Sequence, residues 1–263
     1  MGKITQHPIL TTFIKVISWR LLAALTLFIG TGLLVILTRL PSPALLTNSP
    51  KSGKESKISL PISPQKPHPL PQTLAEWQDS SNSGDYFAQI TPVQVGYLVW
   101  SQFPVRVYVE SPTGVSNQQA QVWEQSVLEA VQEWSTYLPL LIVSQPEVAD
   151  IKIVRKAPPL QISRGDKVPR ARSAQTSYET YSKNNTLSHR LTILLSPSQT
   201  GGYVQAAIRH ELGHALGIWG HSPLPTDALY FAQVRNPPLI SPRDVNTLKR
   251  VYEQPTSLGW TLE

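Results

Sequence analysis

The stretch His210-Glu211-Leu212-Gly213-His214-Ala215-Leu216-Gly217-Ile218-Trp219-Gly220-His221 constrains the fold of this chain more than any other. Just upstream, Gly201-Gly202-Tyr203 ends a loop, and Val204, Ala207, Ile208, Leu212 and Leu216 then recur at helical spacing. One helical turn puts His210 and His214 on the same face, so both imidazoles reach one metal ion. Glu211 beside them is placed to hold a water molecule at that metal. Gly217 lets the chain leave the helix, and His221 then folds back as a third ligand. Three imidazoles with a fourth position open are the donor set of a catalytic zinc site rather than a closed structural one. Any fold for this chain must therefore bring a helix, a glycine exit and a returning loop around one point.

From Gly202 to the C-terminus the sequence resembles the metzincin zinc peptidases, and within them the matrixin-like group. Their pattern is His-Glu-x-x-His-x-x-Gly-x-x-His, which His210, Glu211, His214 and Gly217 match position for position. His221-Ser222 and Asp227-Ala228-Leu229-Tyr230 are similar to the His-Ser and Ala-Leu-Met-Tyr segments of matrixins. The resemblance implies a zinc endopeptidase in which His210, His214 and His221 bind Zn2+ and Glu211 is the general base. Two positions depart from the pattern. Gly220 stands where the family has its third ligand, so His221 comes one residue late. Leu229 stands where the family carries a methionine beneath the metal, a swap of similar volume expected to cost less than about 1.5 kcal/mol. Asp227, Asp244 and Glu253 remain alternatives for the third ligand. A membrane-anchored binding or scaffolding protein with a degenerate, inactive peptidase domain is the alternative function.

Composition removes several classes. Cysteine is absent, which excludes disulfides, thiolate ligands and cysteine nucleophiles. The net charge of +6 is spread without any block of five basic residues, so nucleic acid is not an expected partner. A protein or peptide substrate is expected instead.

Leu21 to Thr38 is an uncharged run of eighteen residues bounded by Arg20 and Arg39. With the apolar residues from Phe13 to Trp19 before it, the run is long enough to span a hydrocarbon core. Leu40-Pro41-Ser42-Pro43-Ala44 is a poor cleavage site, so an uncleaved signal anchor is favoured. Lys15 and Arg20 at its start place the N-terminus inside and the C-terminal part outside. The expected organisation is a cytoplasmic N-terminus and transmembrane anchor over 1–40, a linker over 41–84 and a metallopeptidase domain over 85–263. The expected location is a single-pass membrane protein with the domain extracytoplasmic. Eight prolines between Pro41 and Pro71 support the spacer reading.

Within the domain, Val93 to Glu110 holds two strand-like runs, the clearer being Val105 to Val109. Asn117 to Tyr137 reads as an amphipathic helix capped by Ser116, with Val122, Trp123, Ser126, Val127, Ala130, Val131 and Trp134 along one side. Ala149 to Val154 and Leu191 to Leu195 read as strands, and Ala171 to Tyr181 as an edge strand that receives substrate. His189 is expected at the surface. The polar loop Ala157 to Val168 offers only Asp166 as a carboxylate, so no further metal site is expected there. Ser241-Pro242-Arg243-Asp244 opens a last helix that packs through Val245, Leu248 and Val251. This order fits a mixed α/β (α+β) zincin-like domain, a twisted mixed sheet on two long helices.

Overall fold

Alternation builds the sheet. Val105, Val107, Ile151, Ile153, Leu191, Ile193 and Leu195 occupy every second position of their strands and are buried, while Arg106, Lys152 and Thr192 between them are only partly covered. The computed structural model describes residues 64–161 and 171–262, all within one compact unit. Among these residues lie five strands: β1 Val105–Val109, β2 Leu140–Val143, β3 Ile151–Val154, β4 Ala174–Lys183 and β5 Thr186–Leu195. Their order across the sheet is β2-β1-β3-β5-β4. The β2–β1, β1–β3 and β3–β5 pairs are parallel, and β4 returns antiparallel to β5 as an edge strand. The return is a tight turn at Asn184 and Asn185, both with positive φ, the backbone a two-residue hairpin of this hand needs.

Four helices complete the mixed α/β architecture: α1 Gln72–Glu76, α2 Asn117–Ser135, α3 Gly202–Ala215 and α4 Pro242–Tyr252. The start of α2 is the expected one, with Ser116 and Gln119 forming a reciprocal capping box. Trp123, Val127, Ala130, Val131 and Trp134 are its buried stripe, whereas Val122 and Ser126 face solvent. Polar contacts lock α2 to α3, among them a bond from Gln205 to Glu133. Trp134 Nε1 donates to the Arg209 carbonyl at 2.8 Å, and the nearly buried Arg209 guanidinium forks onto Glu133. In turn α3 lies across β4 and β5, which carries its histidines to the edge-strand side of the sheet.

The packed body starts well before residue 85, the boundary expected from composition. Lys66 bridges to Thr256, His68 Nε2 bonds the Leu258 carbonyl at 2.7 Å while its ring stacks on Trp260, and Leu74 is fully buried. Residues 66–90 form a strap along α4, held by α4 side chains. Trp77 Nε1 donates to Asn246, Lys249 donates to the carbonyls of Ala75 and Trp77, and the Tyr86 amide donates to Thr247. A proline-rich stretch lacking periodicity is ordered here by bonds to another element's side chains.

Three further expectations change. The run from Val93 makes a turn with one Val93–Gly96 bridge and no strand. β5 begins five residues earlier than its apolar core suggests, at Thr186. His189 therefore lies inside β5, is 4 % exposed and stacks on Trp100 with ring centroids 4.0 Å apart. The run Leu21–Thr38, the segment before residue 64 and Asp166 lie outside the described residues. Among the described residues no helix is long and apolar enough to cross a membrane.

Two outcomes are expected. Leu74→Ala lowers the unfolding free energy in urea by about 2–5 kcal/mol, as for a core leucine rather than a linker residue. Burial depresses the His189 imidazole from its ordinary value of 6.5 to about 3. It therefore stays neutral in the folded protein while the unfolded chain takes up a proton, so stability present above pH 6.5 is lost as pH falls toward 3. His189→Phe keeps the stack and removes that proton, which reduces the slope of stability against pH in that window by up to about 1.4 kcal/mol per pH unit.

Candidate metal centre

The helix α3 presents His210 and His214 one turn apart, and their rings meet edge to face at 4.8 Å. The chain leaves α3 after Leu216. Gly217, with φ +132°, makes a turn that a side chain would strain, and the Leu98 carbonyl lies 3.1 Å from where its Cβ would be. Gly220 does not have a positive φ. It is glycine because the Gln89 carbonyl lies only 2.3 Å from where a Cβ would sit. The resulting loop returns His221 against both other imidazoles, its ring 5.3 Å from His210 and 4.8 Å from His214. One ligand nitrogen from each of the three rings falls within 4.8 Å of the others, a group that could hold a metal ion.

Hydrogen bonding fixes how two of these rings present themselves. His210 Nδ1 lies 2.9 Å from the Ala228 carbonyl and His214 Nδ1 lies 2.7 Å from the Ile218 carbonyl. A carbonyl only accepts, so each Nδ1 carries the hydrogen and each Nε2 keeps its lone pair. Those two Nε2 atoms face each other at 3.1 Å. Two lone pairs held that close repel, and a cation between them turns the repulsion into ligation. Burial acts in the same direction. It pushes His214 well below the ordinary imidazole value, helped by His210 and His221, and it takes His221 down to about 4, helped by His210 and Arg172. Neutral imidazoles are the ligating form.

Beneath the rings runs the turn Asp227–Tyr230. Leu229 is fully buried, and its Cδ2 sits 2.5 Å from where a Cβ on Gly213 would be. The glycine between the two histidines thus lets the leucine pack directly against the back of α3. A single carboxylate holds this turn. Asp244, at the third position of α4, accepts from the Ala228 amide at 2.9 Å, the Leu229 amide at 3.3 Å and the Tyr86 hydroxyl at 2.5 Å. It also accepts from the Ser241 amide and hydroxyl as the cap of its own helix. Burial raises its carboxyl, and the bonds from Tyr86, Ser241 and Ala228 pull it back. Asp227 is taken up by Ser222, Ser241 and Arg243. Neither acid, nor Glu253 at the end of α4, joins the three-histidine group.

Glu211 is buried on the sheet side of α3. Its Oε2 accepts from the Thr176 hydroxyl of β4 at 2.6 Å. Burial raises its carboxyl, opposed by His210, by the Thr176 bond and by Arg172. The sequence gives no sign of Thr176, which lies 35 residues from Glu211 in an unremarkable strand, nor of the grip of Asp244 on a turn 16 residues upstream. Only the capping role of Asp244 is readable from sequence. Ile218 is fully buried and contributes its carbonyl to His214 rather than a pocket wall, whereas Trp219 packs between His214 and Tyr178.

No protein-family model and no curated protein sequence matches this chain. The reading of the centre therefore stands on its geometry.

Asp244→Asn replaces one acceptor oxygen by a donor facing amides and hydroxyls. Weaker contacts to the Ala228 and Leu229 amides loosen the carbonyl between them, which orients His210. The expected outcome is a metal affinity about 10–100-fold weaker in chelator competition, with a lowered melting temperature.

Proposed function

We propose that this chain is a zinc-dependent endopeptidase of the metzincin type, most similar to the matrixin-like group. The observation that carries the proposal is the His210–His214 pair, hydrogen-bonded so that both free lone pairs converge, with His221 closing a third side and Glu211 next to them. Zinc suits three neutral imidazoles with an open position, and an ion there supplies acidification of a water molecule and polarisation of a carbonyl.

The chain's own groups do the rest. Glu211 takes a proton from the attacking water and passes it to the leaving amine as the C–N bond breaks. Burial raises the Glu211 carboxyl above its ordinary range, which makes it a better proton acceptor than an exposed glutamate. β4 is an edge strand of the sheet, paired to β5, and it passes beside Glu211 through Thr176. An extended peptide pairing along that edge has its backbone fixed with few demands on sequence. Leu229 supports an intact centre rather than a degenerate one, because it fills the space behind α3 completely. The apolar run Leu21–Thr38 supports a single-pass anchor with the domain outside the cytoplasm.

The test is the zinc-loaded chain and its Glu211→Ala variant on a peptide library. The variant is expected to keep stoichiometric zinc and to lose turnover by at least about 100-fold. Equal cleavage by both proteins would sink the proposal. So would a wild-type chain that takes up no zinc.

A further inference from the structure

We propose that Thr176 is the positioning residue of Glu211, tethering one carboxylate oxygen so that the other alone handles the proton. This rests on the reading of Glu211 as the general base. Thr176 is the third residue of β4, is 8 % exposed and pairs with Ile193 of β5, the next strand in the sheet. Its hydroxyl has two acceptors in reach, both on Glu211: Oε2 at 2.6 Å and the backbone carbonyl at 3.1 Å. One hydroxyl hydrogen serves one strong bond. The carboxylate is the stronger acceptor, and its distance lies in the range of charge-assisted O–H···O bonds.

The consequence follows from the two-fold torsion at the end of a glutamate, which by itself lets either oxygen face the reaction. With Oε2 bound to Thr176, Oε1 is the oxygen left for the attacking water. When the water oxygen bonds the carbonyl carbon, its O–H bond breaks and the proton goes to Oε1. Oε2 is then the carbonyl oxygen of a neutral acid and still accepts from Thr176. The proton returns from Oε1 to the amine nitrogen as the C–N bond breaks, and the carboxyl has not turned in between. The choice of threonine fits this role. Its β-branch suits a strand and restricts χ1, so the hydroxyl points one way. The tether also joins the base to the strand along which the peptide is proposed to lie, so that both are placed by one rigid element.

The test compares the zinc-loaded full chain with Thr176→Val, which keeps the shape and loses the donor, and Thr176→Ser, which keeps the donor. Two readouts are taken: kcat and KM on a peptide, and the affinity for acetohydroxamic acid by calorimetry, with Glu211→Ala setting the lower limit of affinity. Acetohydroxamic acid chelates zinc and offers Glu211 an acidic hydroxyl, so its binding reports on the carboxylate without turnover. For Thr176→Val, kcat is expected to fall about 10–100-fold and hydroxamate affinity about 10-fold, with KM within about twofold and zinc stoichiometry unchanged. Thr176→Ser is expected within about threefold of wild type in both readouts, its unbranched side chain fixing the hydroxyl less firmly. Wild-type hydroxamate affinity in Thr176→Val overturns the proposal. So does a Thr176→Ser as impaired as Thr176→Val, or a Thr176→Val that no longer holds zinc. A wild-type chain that cleaves no peptide yet shows this affinity pattern removes the peptidase reading and keeps the tether. Cleavage that is equal in wild type and Thr176→Val keeps the peptidase reading and removes the tether.

Discussion

One buried carboxylate, Asp244, joins the three pieces of chain on which the metal centre rests. Its two oxygens accept five hydrogen bonds, from Tyr86 in the strap, from Ala228 and Leu229 in the turn beneath the histidines, and from Ser241 at the start of α4. A fully buried carboxylate is costly unless donors surround it, and here all of its partners are donors. The arrangement is mutual. The backbone amides of a tight turn have no strand or helix to bond to, and Asp244 satisfies two of them at once. Next to it, Arg243 spans Asp227 and the carbonyls of Ser83 and Asp85, tying the same strap to the same turn a second time.

From that anchor the order of dependence runs toward the ligands. The Ala228–Leu229 peptide donates to Asp244 through the Leu229 nitrogen and accepts from His210 through the Ala228 oxygen, so the acid reaches the imidazole through one amide plane. The Ser222 amide bonds the Leu229 carbonyl, which places the residue after His221 against the same turn. Leu229 closes the gap behind α3 at Gly213, where any larger residue on the helix would displace it. The orientation of two ligands and the packing behind them thus descend from a turn of four residues, and the turn from α4.

What the sequence reveals follows the range of each interaction. The helices α2, α3 and α4 are readable because their apolar period and their caps lie within a few residues of one another, as at Ser116 with Gln119 and Ser241 with Asp244. His210, Glu211 and His214 are readable for the same reason, since one helical turn links them. The strap is not readable, because what orders it is a row of side chains on α4 more than 150 residues later. The proline-rich composition expected to mark a spacer carries no information on whose core a segment joins. His189 is misplaced by the same reasoning. Histidine as a residue type is mostly exposed, but alternation in β5 turns this one inward between Leu187 and Leu191. Asn184-Asn185 is a local hairpin signal that is passed over when β4 is ended two residues early, at Tyr181, and β5 begun five residues late, at Leu191.

The centre is therefore supported from two sides that share no residue. Below α3, Asp244 and the turn 227–230 orient the His210 imidazole; on the sheet side, Thr176 holds the carboxylate of Glu211. Metal affinity depends on the first support, because ligand orientation passes through the Ala228 carbonyl. The geometry of the Glu211 carboxylate depends on the second, because its Oε2 is tied to β4. The two supports meet only through α3, whose hydrogen-bonded backbone carries His210, Glu211 and His214 as one rigid piece. A change in the turn moves that piece or its imidazoles, whereas a change at Thr176 leaves it in place and releases a single side-chain torsion. The proposed peptidase would thus have one support for its metal ligands and a separate one for its base, so that either could be altered without the other.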